Sequence, residues 1–212
     1  MEEMISFFIA AFVALFTIMN PFSTALVFHS LSKGDPKKER IRTAKRASIA
    51  AAITLILFAF FGNYILDFFS VTIDAFKIAG GILIFGVGYS MVKGSKKHFS
   101  TDKEEKHANN KDDISIIPLA IPMLSGPGAM VTAIVLMEST KHHLFSVLSI
   151  VLAIILVCIL SYIFLRKANS IDKYLGETGV KVTDKILGLL VLVIGIQFIL
   201  NGLTGVINLW FG

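Results

Sequence analysis

Charge is scarce in this chain. Asp, Glu, Lys and Arg together make up 17% of its 212 residues, against 55% hydrophobic, and the mean hydropathy is +0.76. A soluble domain of this length cannot enclose that much apolar surface, whereas a lipid solvent removes the need to. Cysteine is nearly absent. The single Cys158 excludes an internal disulfide framework, and its place in an apolar run makes it a small buried hydrophobe. Histidine is sparse and badly placed for a metal: His98 and His107 fall in a charged stretch, and His142-His143 in a short polar one. No GxxxxGK[ST] stretch suggests an ATP-binding domain. There is no HExxH or GxSxG, and the one adjacent carboxylate pair, Asp112-Asp113, lies in a polar segment, so an embedded enzyme is the weakest class. No metal or cofactor is expected. Met1-Glu2-Glu3-Met4 is acidic and no small-residue cleavage site follows it, so no cleaved leader is read.

Long apolar runs are present instead. Crossing ~30 Å of hydrocarbon takes about 20 helical residues. Six stretches qualify, near residues 4–31, 47–69, 75–92, 114–137, 144–165 and 186–211. They are continuous rather than alternating, which argues against barrel strands. The expected fold class is therefore an all-α membrane protein with six transmembrane helices. Of the 20 Lys and Arg, 18 fall after the first, third and fifth runs, and Lys77 and Lys141 alone fall on the other side. The positive-inside rule places the three basic segments in the cytoplasm, with both termini outside, in the cell membrane. The basic residues behind the net charge of +5 lie between apolar runs, so the expected partner is the bilayer and not nucleic acid. Gly34-Asp35-Pro36 reads as helix stop, N-cap and first helical position, so the second helix starts below the membrane.

The polar stretch 93–113 divides the chain into two three-helix halves, residues 1–92 and 114–212. Lys77-Ile78-Ala79-Gly80 recurs as Lys185-Ile186-Leu187-Gly188, offset by 108 residues. Asn20-Pro21 inside the first helix is matched by Gly126-Pro127 inside the fourth, offset by 106. An odd number of helices per half inverts the second copy relative to the first. Inverted repeats with interrupted helices are a transporter design.

Proline inside a helix removes a hydrogen bond and crowds the preceding turn. In hydrocarbon, the freed carbonyls need partners. Asn20 suits the cap of a helix restarting at Pro21, and Ser125 and Gly126 suit the cap of one restarting at Pro127. Two kinked helices packed through small residues are the alternative without a ligand. Each break lies about eleven residues, or ~16 Å, from the cytoplasmic edge, near the midplane. The restarted half-helices then present positive N-termini to one level from opposite sides. Such ends suit a carboxylate, while unwound carbonyls suit an ammonium group, so a small zwitterion fits both. Candidate binding residues are Asn20, Pro21, Phe22, Ser23 and Thr24 at the first break, and Met123, Ser125, Gly126, Pro127, Gly128 and Ala129 at the second. Gln197 and Asn201, at i, i+4 spacing on the last helix, could line a polar cavity or pair between helices. Asp67, Glu138 and Asp184 fall at span ends, which leaves no carboxylate at the midplane and the coupling proton or cation unassigned.

These residues resemble the MarC family, also called the SnatA or neutral amino acid transporter family. Residues 118–129, PLAIPMLSGPGA, are close to its PLAIPLLAGPGA pattern. Asn20-Pro21-Phe22-Ser23, with Phe28 and Ser30-Leu31, is similar to its NPIGNAPIFLSL pattern. Leu26 stands here for the second proline, and Ser23 and Thr24 for glycine and asparagine. The resemblance covers almost the whole chain. It implies transport of small neutral amino acids such as glycine or alanine, in some members proton-linked. An exporter or a passive channel for another small metabolite is the alternative.

Overall fold

The computed structural model describes residues 2–94, 115–140 and 143–211. The polar stretch with His98, His107 and Asp112-Asp113 lies outside them, as do Lys141, His142 and Gly212. Among the described residues there is no strand. The helices in order are α1 (Glu2–Met19), α2 (Pro21–Leu31), α3 (Lys37–Phe68), α4 (Ile73–Lys93), the π-helical α5 (Ser115–Leu124), α6 (Pro127–Ser139), α7 (Leu144–Arg166) and α8 (Ala168–Phe211).

The side chains of α3 show what solvent the fold requires. Ala44, Ala47, Ser48, Ala51, Leu55, Ala59 and Gly62 form its buried stripe at helical spacing. Ile49, Ile53, Leu57 and Phe61 point outward and are 48%, 54%, 50% and 54% exposed. The small residues face in and the large apolar ones face out, the reverse of a soluble helix. Five described stretches are long and apolar enough to cross a membrane: Ile5–Leu31, Lys37–Phe68, Ile73–Lys93, Leu144–Arg166 and Lys181–Asn208. Pro127–Ser139 is a shorter apolar helix, preceded by α5. The chain is thus an all-helical, multi-pass integral membrane protein. Cys158 is buried in α7, as its apolar setting predicted.

Two boundaries differ from the sequence reading. Pro36, with φ −58° and ψ 142°, is itself the N-cap of α3, so the helix begins one residue later than expected and Asp35 does not cap it. The basic segment after α7 is not a loop. Only Lys167 separates α7 from α8, which runs unbroken for 44 residues and carries Lys173, Lys181 and Lys185 on its surface. The segment holds Gly176 and Gly179 but no proline. Isolated glycines weaken a helix by about 1 kcal/mol each without breaking it.

Helices α4 and α8 pack antiparallel and closely. A β-carbon at Gly195 would lie 2.6 Å from the Phe85 nitrogen and 2.8 Å from the Gly81 carbonyl oxygen. One at Gly88 would lie 2.5 Å from the Leu192 nitrogen. Glycine here admits backbone against backbone, which any side chain would prevent. At the N-terminus of α4, Thr72 caps Ala75 and Lys77 pairs with Asp74 at 3.0 Å. Helix α2 packs on α7 and α8, α6 on α3 and α4, and Asn63 of α3 donates a hydrogen bond to Glu138 of α6.

Candidate functional site: the crossing of two interrupted helices

At the first break a single residue turns the chain. The Asn20 amide closes the last turn of α1 on the Phe16 carbonyl (3.1 Å), and the Asn20 carbonyl accepts the first bond of α2 from Thr24 (3.2 Å). Between them Asn20 adopts φ 40° and ψ 69°, a left-handed conformation that asparagine tolerates better than most residues. Pro21 follows as the first residue of α2, where its missing N–H is harmless. The Asn20 side chain works in two directions. Its Oδ1 accepts from the Ser23 amide at 3.3 Å, which caps α2. Its Nδ2 donates to Asp184 Oδ1 at 3.0 Å, and Ser23 Oγ donates to Asp184 Oδ2 at 3.4 Å. Thr24 turns its hydroxyl back onto the Asn20 carbonyl at 3.1 Å.

The second break is built differently. The Ser125 amide and hydroxyl both bond the Ala120 carbonyl, at 2.8 and 2.9 Å, and so close the wide π-helical end of α5. Ser125 thus serves the helix before the break rather than capping the one after it, as the sequence had suggested. Gly126 is extended (φ −64°, ψ 171°) and is the N-cap of α6, with no side-chain capping bond. Pro127 is exposed, whereas Gly128 and Ala129 are buried.

The two breaks adjoin. A β-carbon at Gly128 would lie 3.3 Å from Ile18 Cγ2, two residues before Asn20, and 3.4 Å from Ile84 Cγ1 at the middle of α4. Towards the end of α2, the Arg40 guanidinium of α3 lies over the Phe28 ring, 5.8 Å from its centroid.

Other candidate residues are placed as follows. Phe22 packs edge-on against Phe164 of α7, with ring centroids 4.3 Å apart, and belongs to an aromatic cluster with Phe16. Met123 is buried in the core. Gln197 and Asn201 are exposed on α8 and hydrogen-bond to each other at 2.7 Å, so the fold does not bring them to the crossing. Asp184 was the residue missed. It stands in the first turn of the apolar stretch Lys181–Asn208, where sequence alone reads a carboxylate as a span end. Its distance from the break, 164 residues along the chain, left no local signal. A cavity of about 770 Å³ lies away from the crossing, between α3, α4, α6 and α7, with Asn63, Tyr64, Asp67, Thr72 and Glu138 among its walls.

Interrupted apolar helices adjoining inside a helical bundle, with a carboxylate hydrogen-bonded at the first break, define a class: a polytopic membrane protein with helix breaks inside its bundle. Residues 5–207 match the MarC family of integral membrane proteins, and the chain belongs to that family. It is 38% identical to a UPF0056 membrane protein of Methanocaldococcus jannaschii over 95% of this chain and 98% of that one. It is 34% identical to the UPF0056 membrane protein YhcE of Escherichia coli (92% and 91% covered) and 32% identical to YvbG of Bacillus subtilis (95% and 96%). No solved structure matches the chain.

Proposed function

We propose that this protein is a secondary transporter of small neutral zwitterions of the glycine or alanine kind, working by alternating access at the crossing of the two interrupted helices. The observation that carries this reading is the adjacency of the breaks, with Ile18 against the Gly128 position. The N-terminus of α6 offers its first amides, near Gly128 and Ala129, as a partly positive end without a side-chain cap, which suits a carboxylate. The first break contributes Asn20 and Ser23, already arranged around a carboxylate of the protein itself. Each half of the chain holds one interrupted span followed by two continuous helices, the order that two inverted repeats require. In the cell membrane the basic ends of α3, α7 and α8 would face the cytoplasm and both termini would face outward. The coupling ion is a proton or another cation.

The test is counterflow of radiolabelled glycine and alanine into proteoliposomes of the purified protein. A transporter shows saturable uptake that is stimulated by unlabelled substrate inside. Uptake that neither saturates nor responds to substrate on the far side identifies a passive channel, and its absence for both amino acids excludes this substrate class.

A further inference from the structure

We propose that the pocket between the start of α3 and the α7–α8 junction binds a phosphate group, carried by an anionic phospholipid headgroup or by free inorganic phosphate. The assignment is independent of what the protein transports. A cavity of about 440 Å³ lies there, within the usual size of small-ligand pockets. Helix α3 supplies Lys37 and Arg40 to its walls, and the junction supplies Arg166 and Lys167. The two pairs are far apart in sequence, and the fold brings them to one cavity. Asp35 is the single carboxylate among the described residues that line it, so positive charge predominates. None of the four cations forms an ion pair among the described residues.

Arg40 is oriented before any ligand arrives. Its Nε donates to Ser32 Oγ at 3.0 Å, and its guanidinium is stacked over the Phe28 ring. Ser32 is itself buried and donates to the Phe28 carbonyl at 2.6 Å. The Arg40 Nη groups make no hydrogen bond among the described residues, and a guanidinium fork matches paired phosphate oxygens. Lys37, Arg166 and Lys167 are exposed and can close on the remaining oxygens. Lys37 opens α3, which has no side-chain cap, and Asn169 and Ser170 of the first turn of α8 also line the pocket. Two helix N-termini therefore adjoin it. The C-terminus of α7 meets the same pocket and offsets part of their field, which leaves the side-chain cations as the main attraction.

The pocket stands at headgroup level, where the apolar stretch Lys37–Phe68 begins and Leu144–Arg166 ends. On the orientation proposed above, it opens at the cytoplasmic leaflet. Buried Phe28 and Leu165 give it an apolar wall beside the cations, the combination that the glycerol end of a phospholipid presents in reverse.

The experiment uses purified full-length protein in neutral detergent and a fluorescent phosphatidylglycerol probe. Competitors are unlabelled phosphatidylglycerol, phosphatidylcholine and sodium phosphate, the last against sodium chloride of matched ionic strength. Thermal melting with phosphate and with chloride is read in parallel. Variants are Arg40→Gln, the double Arg166→Gln/Lys167→Gln and, as a charge-matched control outside the pocket, the double Lys45→Gln/Lys93→Gln. Arg166 and Lys167 make no side-chain bond among the described residues, so their double variant should melt near the wild type even if loss of the Ser32 bond destabilises Arg40→Gln. Salt is held at about 0.15 M, which screens cations outside the pocket. The wild type should prefer phosphatidylglycerol to phosphatidylcholine, and the Arg166/Lys167 double variant should bind the probe about tenfold more weakly. The control should stay within about twofold of the wild type. Displacement of the probe, or a rise in melting temperature, by phosphate beyond that of chloride and absent from the Arg166/Lys167 variant identifies the free anion as a ligand. Probe binding that meets these expectations without any phosphate effect identifies the lipid headgroup. Equal losses in the pocket and control variants, or equal competition by the two lipids without a phosphate effect, overturn the pocket in favour of diffuse surface charge. A wild type that neither binds the probe nor responds to phosphate overturns it as well.

Discussion

Replacement of Asn20 separates backbone from side-chain contributions at the first break. Asn20→Ala removes three things. The cap on the Ser23 amide is worth about 1 kcal/mol. An alanine β-carbon held at φ 40° costs about 1–2 kcal/mol. The charge-assisted bond to Asp184, which is part-buried, contributes about 1.5–3 kcal/mol. The total is about 3.5–6 kcal/mol. Asn20→Gly enters the left-handed region freely and, as an N-cap, loses only a few tenths of a kcal/mol, so it should cost about 2–3 kcal/mol. Unfolding free energies from SDS titration of the purified protein in mixed micelles measure the difference, expected at about 2 kcal/mol in favour of glycine. Asn20→Gly and Asp184→Ala should be non-additive by about 1.5–2 kcal/mol, since each removes the same bond. Equal losses for alanine and glycine would refute the left-handed turn. Strict additivity with Asp184→Ala would refute the hydrogen bond that ties α8 to the crossing.

Two glycine sites should respond to very different degrees, and topology gives the remaining test. Gly195→Ala sets a β-carbon 2.6 Å from backbone that cannot rotate aside, so it should cost about 2–3 kcal/mol, whereas Gly128→Ala meets only Ile18 and Ile84 side chains at 3.3 and 3.4 Å and should cost under about 1 kcal/mol; the same SDS titration reads both. In intact cells, with Cys158→Ala as background, an impermeant thiol reagent should label a cysteine at Leu144 and leave one at Lys38 untouched until permeabilisation; the reverse pattern inverts the topology.

The sequence carried the two breaks to the residue because their causes are local. A proline cannot donate to the preceding turn wherever it stands, and Asn-Pro and Gly-Pro write a stop and a restart in two letters. The lipid-facing character was legible for a similar reason, since α3 shows its small and large apolar residues at helical spacing before any fold is known. What stayed hidden depends on distant chain segments or on competition between neighbours. Asp184 reads as the end of a span until α8 is seen to start at Ala168 and to pass Asn20. Ser125 could cap forward or close backward, and only the π-helical widening of α5, which brings the Ala120 carbonyl within 2.8 Å of its amide, decides for the second. Gln197 and Asn201 share a face, but helical spacing does not say which way that face points. The fold turns it outward, where the two amides satisfy each other.

The unequal capping of the two breaks bears directly on mechanism. If both restarted helices were open at their N-termini, the crossing would be doubly positive and would hold a carboxylate from two sides, as the sequence suggested. The fold instead gives the α2 end to Asn20 and the neighbouring carboxylate to Asp184, and leaves α6 with a glycine cap. The two breaks therefore differ in polarity, with a carboxylate hydrogen-bonded at the first and a helix N-terminus without a side-chain cap at the second. Asp184 is carried by α8, which packs on α4 through glycine-mediated backbone contact. In the proposed alternating access, the closely packed α4–α8 pair would move as one body relative to α6, because sliding within that interface would set backbone against backbone.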